Sequence, residues 1–319
     1  MNAGGIACYI FNAWFVDRAF RFCYPSFIMN RSQSISLFRI ISLIGVYGGL
    51  LMPLVFIPVV IFPFVFSKLI AFQILIGLTF PAYLALIWLE PEMRPKKHWL
   101  LIAVFAYFVA LALSVVTAID PSRAWWGNQE RMNGLLTLLH FLAWLLMATS
   151  LLKTWKQWKY LLQFEVVLSV IMALVALYQK IDPKILLFPA GDRVGGLLDN
   201  PIYQAVYQMF NLFFLALLFM RTSDRRARIW YVVLALIDLW AFFAAQSRGE
   251  LIGLFVGIAL FTLCVAATTK IRKIRYGVFG FAAACVLAYG TLFALRNTSI
   301  VQVNSDRLGQ LNFFNLAKA

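Results

Sequence analysis

Residues 99–118 read WLLIAVFAYFVALALSVVTA, a stretch in which no side chain is charged. An α-helix rises about 1.5 Å per residue, so this stretch is long enough to cross the hydrocarbon core of a bilayer, which is ~30 Å thick. Similar apolar stretches recur along the chain, and 63% of all residues are hydrophobic, with a mean hydropathy of +0.83. The interior of a soluble domain cannot absorb so much apolar surface. The sequence therefore predicts an integral membrane protein of the all-α class.

The apolar stretches predict a polytopic transmembrane helical bundle of about nine helices over residues 39–295. A cytoplasmic or interfacial segment, residues 1–38, precedes this bundle, although Met29 offers an alternative start of the chain. Residues 296–319 are polar enough to leave the membrane and are expected to begin an outer, periplasmic loop. The predicted spans are residues 39–60, 68–89, 99–118, 135–152, 160–179, 201–220, 229–246, 250–268 and 276–294.

The orientation of the bundle follows from its basic residues, because loops rich in Lys and Arg stay in the cytoplasm. Fourteen Lys and Arg residues occupy one set of connections, whereas seven occupy the alternate set. The first set is therefore predicted to be cytoplasmic, which places the N-terminus inside and the C-terminus outside. The cytoplasmic connections are those at residues 94–97, 153–159, 221–228 and 270–275.

The remaining composition excludes several classes of protein. The net charge of +15 is spread between the apolar stretches, so it reflects membrane topology and does not indicate a nucleic-acid partner. The four cysteines lack CxxC spacing, which predicts neither a disulfide framework nor a zinc site. The sequence has no P-loop, HExxH or DxD motif, which argues against an ATP-driven pump, a zincin-type protease and a metal-dependent nucleotide-sugar enzyme. Arginine side chains rather than a metal must then hold any phosphorylated substrate.

The segment QSRGE around Arg248 lies between two apolar runs on the predicted outer side. An Arg inside the membrane costs ~2.5–3.5 kcal/mol, so Arg248 is expected at the interface, in an ion pair or beside a polar cavity. Glu250 is one candidate for its partner. Gly249, Gly253 and Gly257 recur every four residues, a spacing that lets another helix pack closely. Arg248 is therefore expected at the top of a closely packed helix, where it is positioned to contact an anion.

Two further outer loops, residues 119–140 and 181–204, resemble each other. Both begin with Ile-Asp-Pro, carry an Arg eleven residues after the Asp, and continue with Gly-Leu-Leu or Gly-Gly-Leu-Leu. We expect Arg131 and Arg193 to lie at matching depth on the same face, unless the similarity arises by chance. Arg131 is then either an anion contact or a solvated residue in a loop of the aromatic belt.

The second of these loops also has the features of a phosphate cradle. Glycines flank Arg193, and glycine lets backbone N–H groups approach a ligand. Asn200 is a predicted N-cap with Pro201 at the first helical position. Because a helix N-terminus attracts anions, this arrangement predicts an anion site. The same residues also occur in simple turns, and that interpretation stays open.

Two polar residues lie inside predicted spans. Asp238 is expected to be protonated or paired in an apolar helix, where it either relays protons or forms an interhelical hydrogen bond. His140 follows Arg131 by about nine residues, or ~13 Å along a helix. That depth is more typical of a hydrogen-bonded bundle histidine than of a catalytic base.

Three segments together resemble the O-antigen ligase and O-antigen polymerase superfamily: ERMNG at residues 130–134 leading to His140, DRVGGLLDNP at 192–201, and QSRGELIGLFVG at 246–257. The resemblance implies a multi-pass glycosyltransferase-type enzyme of the bacterial inner membrane, as in lipopolysaccharide biosynthesis. It implies transfer of a glycan from an undecaprenyl-pyrophosphate carrier to a hydroxyl of an acceptor glycan, lipid A-core or protein. It further implies that Arg193 and Arg248 engage the pyrophosphate, without a metal or cofactor, and Arg131 joins them through the similarity of the two loops.

The sequence departs from the superfamily in one respect. Its members carry a large outer loop with a histidine that acts as general base, and no histidine follows His140 here. We therefore expect a truncated product or a fragment that retains the donor-binding arginines. No catalytic residue is assigned, and whether this chain is active by itself stays open. Two other functions also stay open, a transporter or flippase for an anionic lipid or solute with Asp238 as coupling site, and a structural subunit. A transporter should show broken helices or polar groups at the midplane, whereas the enzyme should gather its arginines at the outer interface.

Overall fold

The structure is a computed structural model that describes residues 30–182 and 193–268, with isolated helical positions between 276 and 291. Over these residues the chain forms α-helices and short 3₁₀ helices and no strand, which confirms the all-α prediction for this part of the chain. The α-helices are α1 (Arg31–Leu50), α2 (Phe66–Leu89), α3 (Trp99–Val116), α4 (Pro121–Trp126), α5 (Leu135–Leu151), α6 (Trp155–Ile181), α7 (Pro201–Arg221), α8 (Arg225–Ala244) and α9 (Arg248–Thr268). The 3₁₀ helices are Met52–Leu54, Pro91–Met93 and Gly196–Leu198.

Six of the described helices are long and apolar enough to cross a membrane, namely α1, α2, α3, α6, α7 and α8. Helix α5 is apolar but shorter, at 17 residues. The ninth predicted span, residues 276–294, lies mostly outside the described residues. The structure therefore supports a helical membrane protein, while the count of nine spans and the orientation of the termini stay predictions.

The first helix differs from the predicted span 39–60. Helix α1 begins at Arg31 and ends at Leu50, and residues 55–65 are not helical. The helix ends here because Pro53 has no backbone N–H to donate and its ring would clash with the preceding helical turn. At the other end, the arginine at the first position is exposed. A long charged side chain of this kind reaches water while its stem covers apolar surface, so the charge does not stop the helix.

Two other helices begin earlier than predicted because polar residues cap them. Thr154 and Gln157 form a reciprocal capping box at the start of α6. At the start of α8, the Asp224 carboxylate accepts hydrogen bonds from two backbone N–H groups of the first turn, at 3.2 and 3.1 Å. These carboxylate and amide contacts satisfy donors that a helix leaves unpaired, and they extend both helices into the basic connections.

The chain divides into two compact units. Unit 1 comprises the residues up to Gly49 together with Leu69–Lys153. Within it, the indole N–H of Trp144 donates to the Val46 carbonyl at 3.0 Å, and the Tyr83 hydroxyl lies 2.8 Å from the Ser150 hydroxyl. Interhelical hydrogen bonds of this kind hold helices together in lipid, where apolar surface gains nothing from leaving water.

Unit 2 comprises Leu50–Lys68 and the residues from Thr154 onward. Its centre is formed by α6, α7 and α8, which pack mutually. Helix α9 lies against α7, where Gly257 faces the ring of Phe213 and Gly253 faces Met209. Gly249 faces open space. The predicted small-residue face is thus used by two of its three glycines. The cluster between α7, α8 and α9 consists of Ala205, Phe242, Ala245 and Leu254.

Replacing Gly257 by Val should destabilise unit 2. A Cβ at this position would lie 2.6 Å from Cζ of Phe213, so the ring or the helix must shift, at a cost of about 1–3 kcal/mol. Gly77 provides the matched control because it also lies inside a helix, and a Cβ there meets nothing within 4 Å. Thermal unfolding of G257V and G77V in detergent measures the difference. Equal shifts for the two variants would contradict the close packing of α9 on α7.

Candidate functional site

In the described part of the loop that carries Arg193, residues 194–196 are buried inside unit 2. Val194 is 1% exposed. A Cβ on Gly196 would lie 3.7 Å from the carbonyl oxygen of Met172, which precedes the end of α6 by about two and a half turns. Gly195 and Gly196 therefore lie alongside the last turns of α6 rather than beyond its end. Irregular backbone is tolerated at such a depth only where the surrounding protein satisfies its polar groups.

The side chain of Gln179 provides the hydrogen-bond acceptor for two backbone N–H groups of this loop. Its Oε1 accepts hydrogen bonds from the backbone N–H groups of Gly195 and Gly196, at 3.2 and 2.9 Å, and the Gln179 side chain is itself buried. The sequence predicted that glycines here let backbone N–H groups approach a ligand. That prediction is wrong for these two donors, because an internal amide occupies both of them.

Backbone conformation explains why the loop contains glycine. Gly196 has φ +53°, in the left-handed region that favours glycine, and a Cβ there would lie 2.9 Å from Oε1 of Gln204. Asp199 follows in the same region, with φ 58°. The chain then enters α7 at Asn200, whose side-chain oxygen accepts from the backbone N–H of Ile202 at 2.9 Å. The predicted N-cap, with proline after it, is what the structure shows.

Arg193 joins this loop to the turn before α9. Its Nε donates to the backbone carbonyl of Ala245 at 3.0 Å, and the Arg193 side chain is half-buried. Ala245 is fully buried and lies three residues before Arg248. Two motifs that are 52 residues apart in the sequence are thus in direct contact. The structure brings the Arg193 loop to the segment that carries Arg248, the first residue of α9.

The segment around Arg248 is built as a helix start. Gln246 adopts φ 48°, which turns the chain sharply out of α8. The Ser247 hydroxyl then donates to the Glu250 carboxylate, in the Ser-x-x-Glu pattern typical of a helix N-terminus. Arg248 and Gly249 are exposed. Glu250 therefore has a bond to Ser247, a partner that the sequence did not predict, and Arg248 presents its charge at the surface of unit 2.

Arg131 belongs to unit 1, so its expected match with Arg193 in depth and face stays a prediction. Its side chain is exposed, and its backbone N–H donates to Oδ1 of Asn128 at 2.8 Å. His140, also in unit 1, lies 2.8 Å through Nδ1 from the Leu136 carbonyl, one turn back in the same helix. This bond is the contact of a hydrogen-bonded bundle histidine.

The sequence analysis missed Lys68 as a residue of this region. Lys68 is half-buried at the start of α2, and its ammonium group donates to the Val55 carbonyl at 2.6 Å. Its charge interacts with that of Asp199 in the Arg193 loop. The only signal in the sequence was a lysine at one end of an apolar run, and this signal does not distinguish Lys68 from a charged residue at the end of any other predicted span.

A column of polar side chains crosses the centre of unit 2. The Ser169 hydroxyl lies 2.6 Å from Oε1 of Gln208 and 2.9 Å from Oδ2 of Asp238, and Asp238 is fully buried. The amide of Gln208 is oriented by its Nε2, which donates to the Ser169 carbonyl at 3.3 Å. Each contact therefore needs a proton between two oxygen atoms.

Proton counting favours one state of Asp238. A serine hydroxyl has one proton, and the two contacts of Ser169 need two. Gln208 supplies no proton to these contacts, because its side-chain oxygen, which can only accept, faces the Ser169 hydroxyl. A proton on Oδ2 of Asp238 would supply the second, with Asp238 as a neutral acid that donates to Ser169. The contact of Asp238 with Ser169 is an interhelical hydrogen bond, one of the two roles that the sequence left open for Asp238.

No family model, curated protein or solved structure matches the chain. The resemblance to the O-antigen ligase and polymerase superfamily thus rests on the three quoted segments alone.

Replacing Asp238 by Asn should preserve the polar column. The Asn amide donates to Ser169 as the protonated acid does, so the variant should lose less than about 1 kcal/mol, whereas Asp238→Leu should lose about 1–3 kcal/mol. Infrared spectra provide a second readout, because the carbonyl band of a buried carboxylic acid should vanish in D238N. Asp224→Asn, at an exposed cap, is the control that should leave this band unchanged. A carboxylate signal from Asp238 at neutral pH would contradict the proton count.

Replacing Gln179 by Leu should loosen the Arg193 loop. The variant leaves two buried N–H groups without an acceptor, at a cost of about 1–3 kcal/mol each at most. Hydrogen–deuterium exchange of the peptide that contains Gly195 and Gly196 should accelerate. Gln163→Leu is the matched control, since Gln163 lies on the same helix and donates to the Tyr231 hydroxyl, at 2.8 Å, rather than to the loop. Unchanged exchange in Q179L would show that Gln179 does not hold the loop.

Proposed function

We propose that this chain belongs to a membrane glycan ligase or polymerase that binds an undecaprenyl-pyrophosphate-linked glycan at the outer face of the bacterial inner membrane. The observation that carries the proposal is the bond from Arg193 to the Ala245 carbonyl, because it unites the loops of the two arginine motifs. The similarity of these motifs to the superfamily supplies the substrate class. The acceptor is the hydroxyl of a glycan, of lipid A-core or of a protein.

The chemistry of arginine suits this substrate. A guanidinium group matches phosphate oxygens with two parallel N–H donors and stays charged at any working pH. In the transfer, the bond between the sugar anomeric carbon and the pyrophosphate oxygen breaks while the acceptor oxygen bonds to that carbon. The pyrophosphate leaves with the electron pair, and cations held in place stabilise its growing charge more than they stabilise the bound donor. Arg193 and Arg248 take this role, with Arg131 as a third candidate, and we assign no general base.

The proposed topology has nine spans, with the N-terminus in the cytoplasm and the C-terminus outside. One contact supports the assignment of two basic connections to the same side. The Lys153 ammonium group donates to the Glu92 carbonyl at 2.6 Å, so the connections before α3 and before α6 meet at one end of unit 1. In this orientation the Arg193 loop and the start of α9 lie at the outer face.

A transporter for an anionic lipid or solute is a second candidate, and the polar column of unit 2 favours it. Glu165, Ser169 and Asp238 are buried between apolar helices, and such groups mark ion or substrate pathways in many membrane proteins. Helices α6, α7 and α8 are nevertheless continuous, without the breaks that midplane binding sites of transporters commonly use. The enzyme is therefore the leading candidate.

Replacing Arg193 or Arg248 by Ala should weaken binding of undecaprenyl pyrophosphate by roughly 10- to 100-fold, because each variant removes charge-assisted hydrogen bonds to the phosphates. Lysine variants should recover binding only in part, since a point charge lacks the fork of arginine. Binding is measured with the purified chain in detergent. Arg226→Ala, at the exposed start of α8, is the control that should bind as the wild type does.

Glycan transfer distinguishes the two candidate functions. An enzyme should release undecaprenyl pyrophosphate when vesicles containing the protein receive the labelled donor and an acceptor, and the arginine variants should lose this release. A transporter should move the intact labelled lipid between leaflets without releasing the carrier. Wild-type binding in both R193A and R248A would overturn the site assignment for either function.

A further inference from the structure

Unit 1 contains a cavity of about 350 Å³ between the start of α3 and the end of α5. At about 30 Å³ per water molecule in the liquid, this volume equals roughly ten waters. The cavity can hold a small polar headgroup and a few methylene groups, but not a whole lipid. The residues at its rim and those along its walls differ in charge and polarity.

The rim of the cavity is basic. Arg94, Lys96 and Lys153 line it together with His98, and no acidic residue does so. Two of these side chains are positioned by backbone carbonyls, since Arg94 Nε donates to Ile87 at 3.1 Å and Lys153 donates to Glu92 at 2.6 Å.

His98 adds a directed donor to this rim. Its Nδ1 accepts from the backbone N–H of Leu100 at 3.3 Å, which places the ring proton of the neutral form on Nε2. The rim thus combines three cations and an imidazole around one opening, and this arrangement suits an oxyanion.

The walls of the cavity are mainly aliphatic, with Thr149 and Ser150 also among them. Helix α3 contributes Leu100, Leu101 and Val104, and this helix has no buried residue in the structure. Leu145 and Leu152 line the cavity from α5 and the residue after it. An opening with cations at one end and aliphatic walls along a lipid-exposed helix matches an amphipathic anion, with its charge at the membrane surface and its tail in the hydrocarbon.

We propose that this cavity binds the headgroup and the first methylene groups of an anionic phospholipid from the cytoplasmic leaflet. Basic pockets between transmembrane helices on the cytoplasmic side are suited to such headgroups, and each Lys or Arg near the surface contributes about 1 kcal/mol to the attraction. A zwitterionic lipid lacks the net charge that the rim complements. A free phosphate would leave the aliphatic walls unused. The site shares no residue with the arginine motifs, so it stands independently of glycan transfer.

The test titrates the purified, delipidated chain with phosphatidylglycerol and follows bound lipid by native mass spectrometry. Phosphatidylcholine with the same acyl chains is the comparison, and it should bind at least tenfold more weakly. Lys96→Gln should weaken phosphatidylglycerol binding about fivefold, because it removes one of the cations that line the cavity. Lys97→Gln is the matched control, because this neighbouring lysine has the same charge but does not line the cavity.

A second pair of variants tests the aliphatic wall without changing any charge. Leu101→Trp fills the cavity and should abolish the preference for phosphatidylglycerol, whereas Ile102→Trp, on the exposed face beside it, should preserve that preference. Equal binding of the two lipids, or equal effects of K96Q and K97Q, would overturn the proposal. Displacement of the lipid by inorganic phosphate at equal concentration would also overturn it, since the ligand would then be the phosphate group alone. Circular dichroism of each variant confirms that its helices are retained.

Discussion

The side-chain oxygen of Gln179 accepts hydrogen bonds from two successive backbone N–H groups, and the candidate site depends on this interaction. Without this acceptor, Gly195 and Gly196 would lie beside the buried turns of α6 with two unpaired backbone donors, at a cost of about 1–3 kcal/mol each. With it, the loop stays inside unit 2 and is directed toward the end of α8. The position of Arg193 follows from that path, and so does its contact with the turn before Arg248.

This arrangement changes what the glycines contribute. In many phosphate sites a glycine-rich turn offers its own N–H groups to the anion. Here the donors of Gly195 and Gly196 serve the fold, and the side chains of the arginines remain as the groups with the right charge. The glycines therefore act through backbone shape, since the left-handed conformation of Gly196 and its close approach to Gln204 allow the loop to fit.

Local features of the structure were predictable from the sequence, and long-range ones were not. The cap at Asn200 and the close packing at Gly257 follow from residues near each other in the chain, which have few conformations to choose from. The bond of Gln179 to the glycine loop joins residues of different segments, and a buried glutamine has no pattern that names its partner. Lys68 reaches the same region from an earlier helix, so only the tertiary structure reveals it. The prolines that follow α1 could have predicted its early end, but the predicted span gave more weight to apolar composition.

A neutral Asp238 would separate the two candidate functions on physical grounds. In lipid, helices gain little from burying apolar surface against each other, so a hydrogen-bonded chain from Asp238 through Ser169 to Gln208 favours the association of α6, α7 and α8. A transporter that uses Asp238 as its coupling site must release this proton in each cycle, which would leave the two oxygen contacts of Ser169 with one proton and break the chain. An enzyme that acts through arginines at the end of the bundle places no such demand on the column. The hydrogen-bonding role of Asp238 is therefore compatible with every step of the proposed glycan transfer. A transport cycle, by contrast, requires the polar contacts in the core of unit 2 to rearrange.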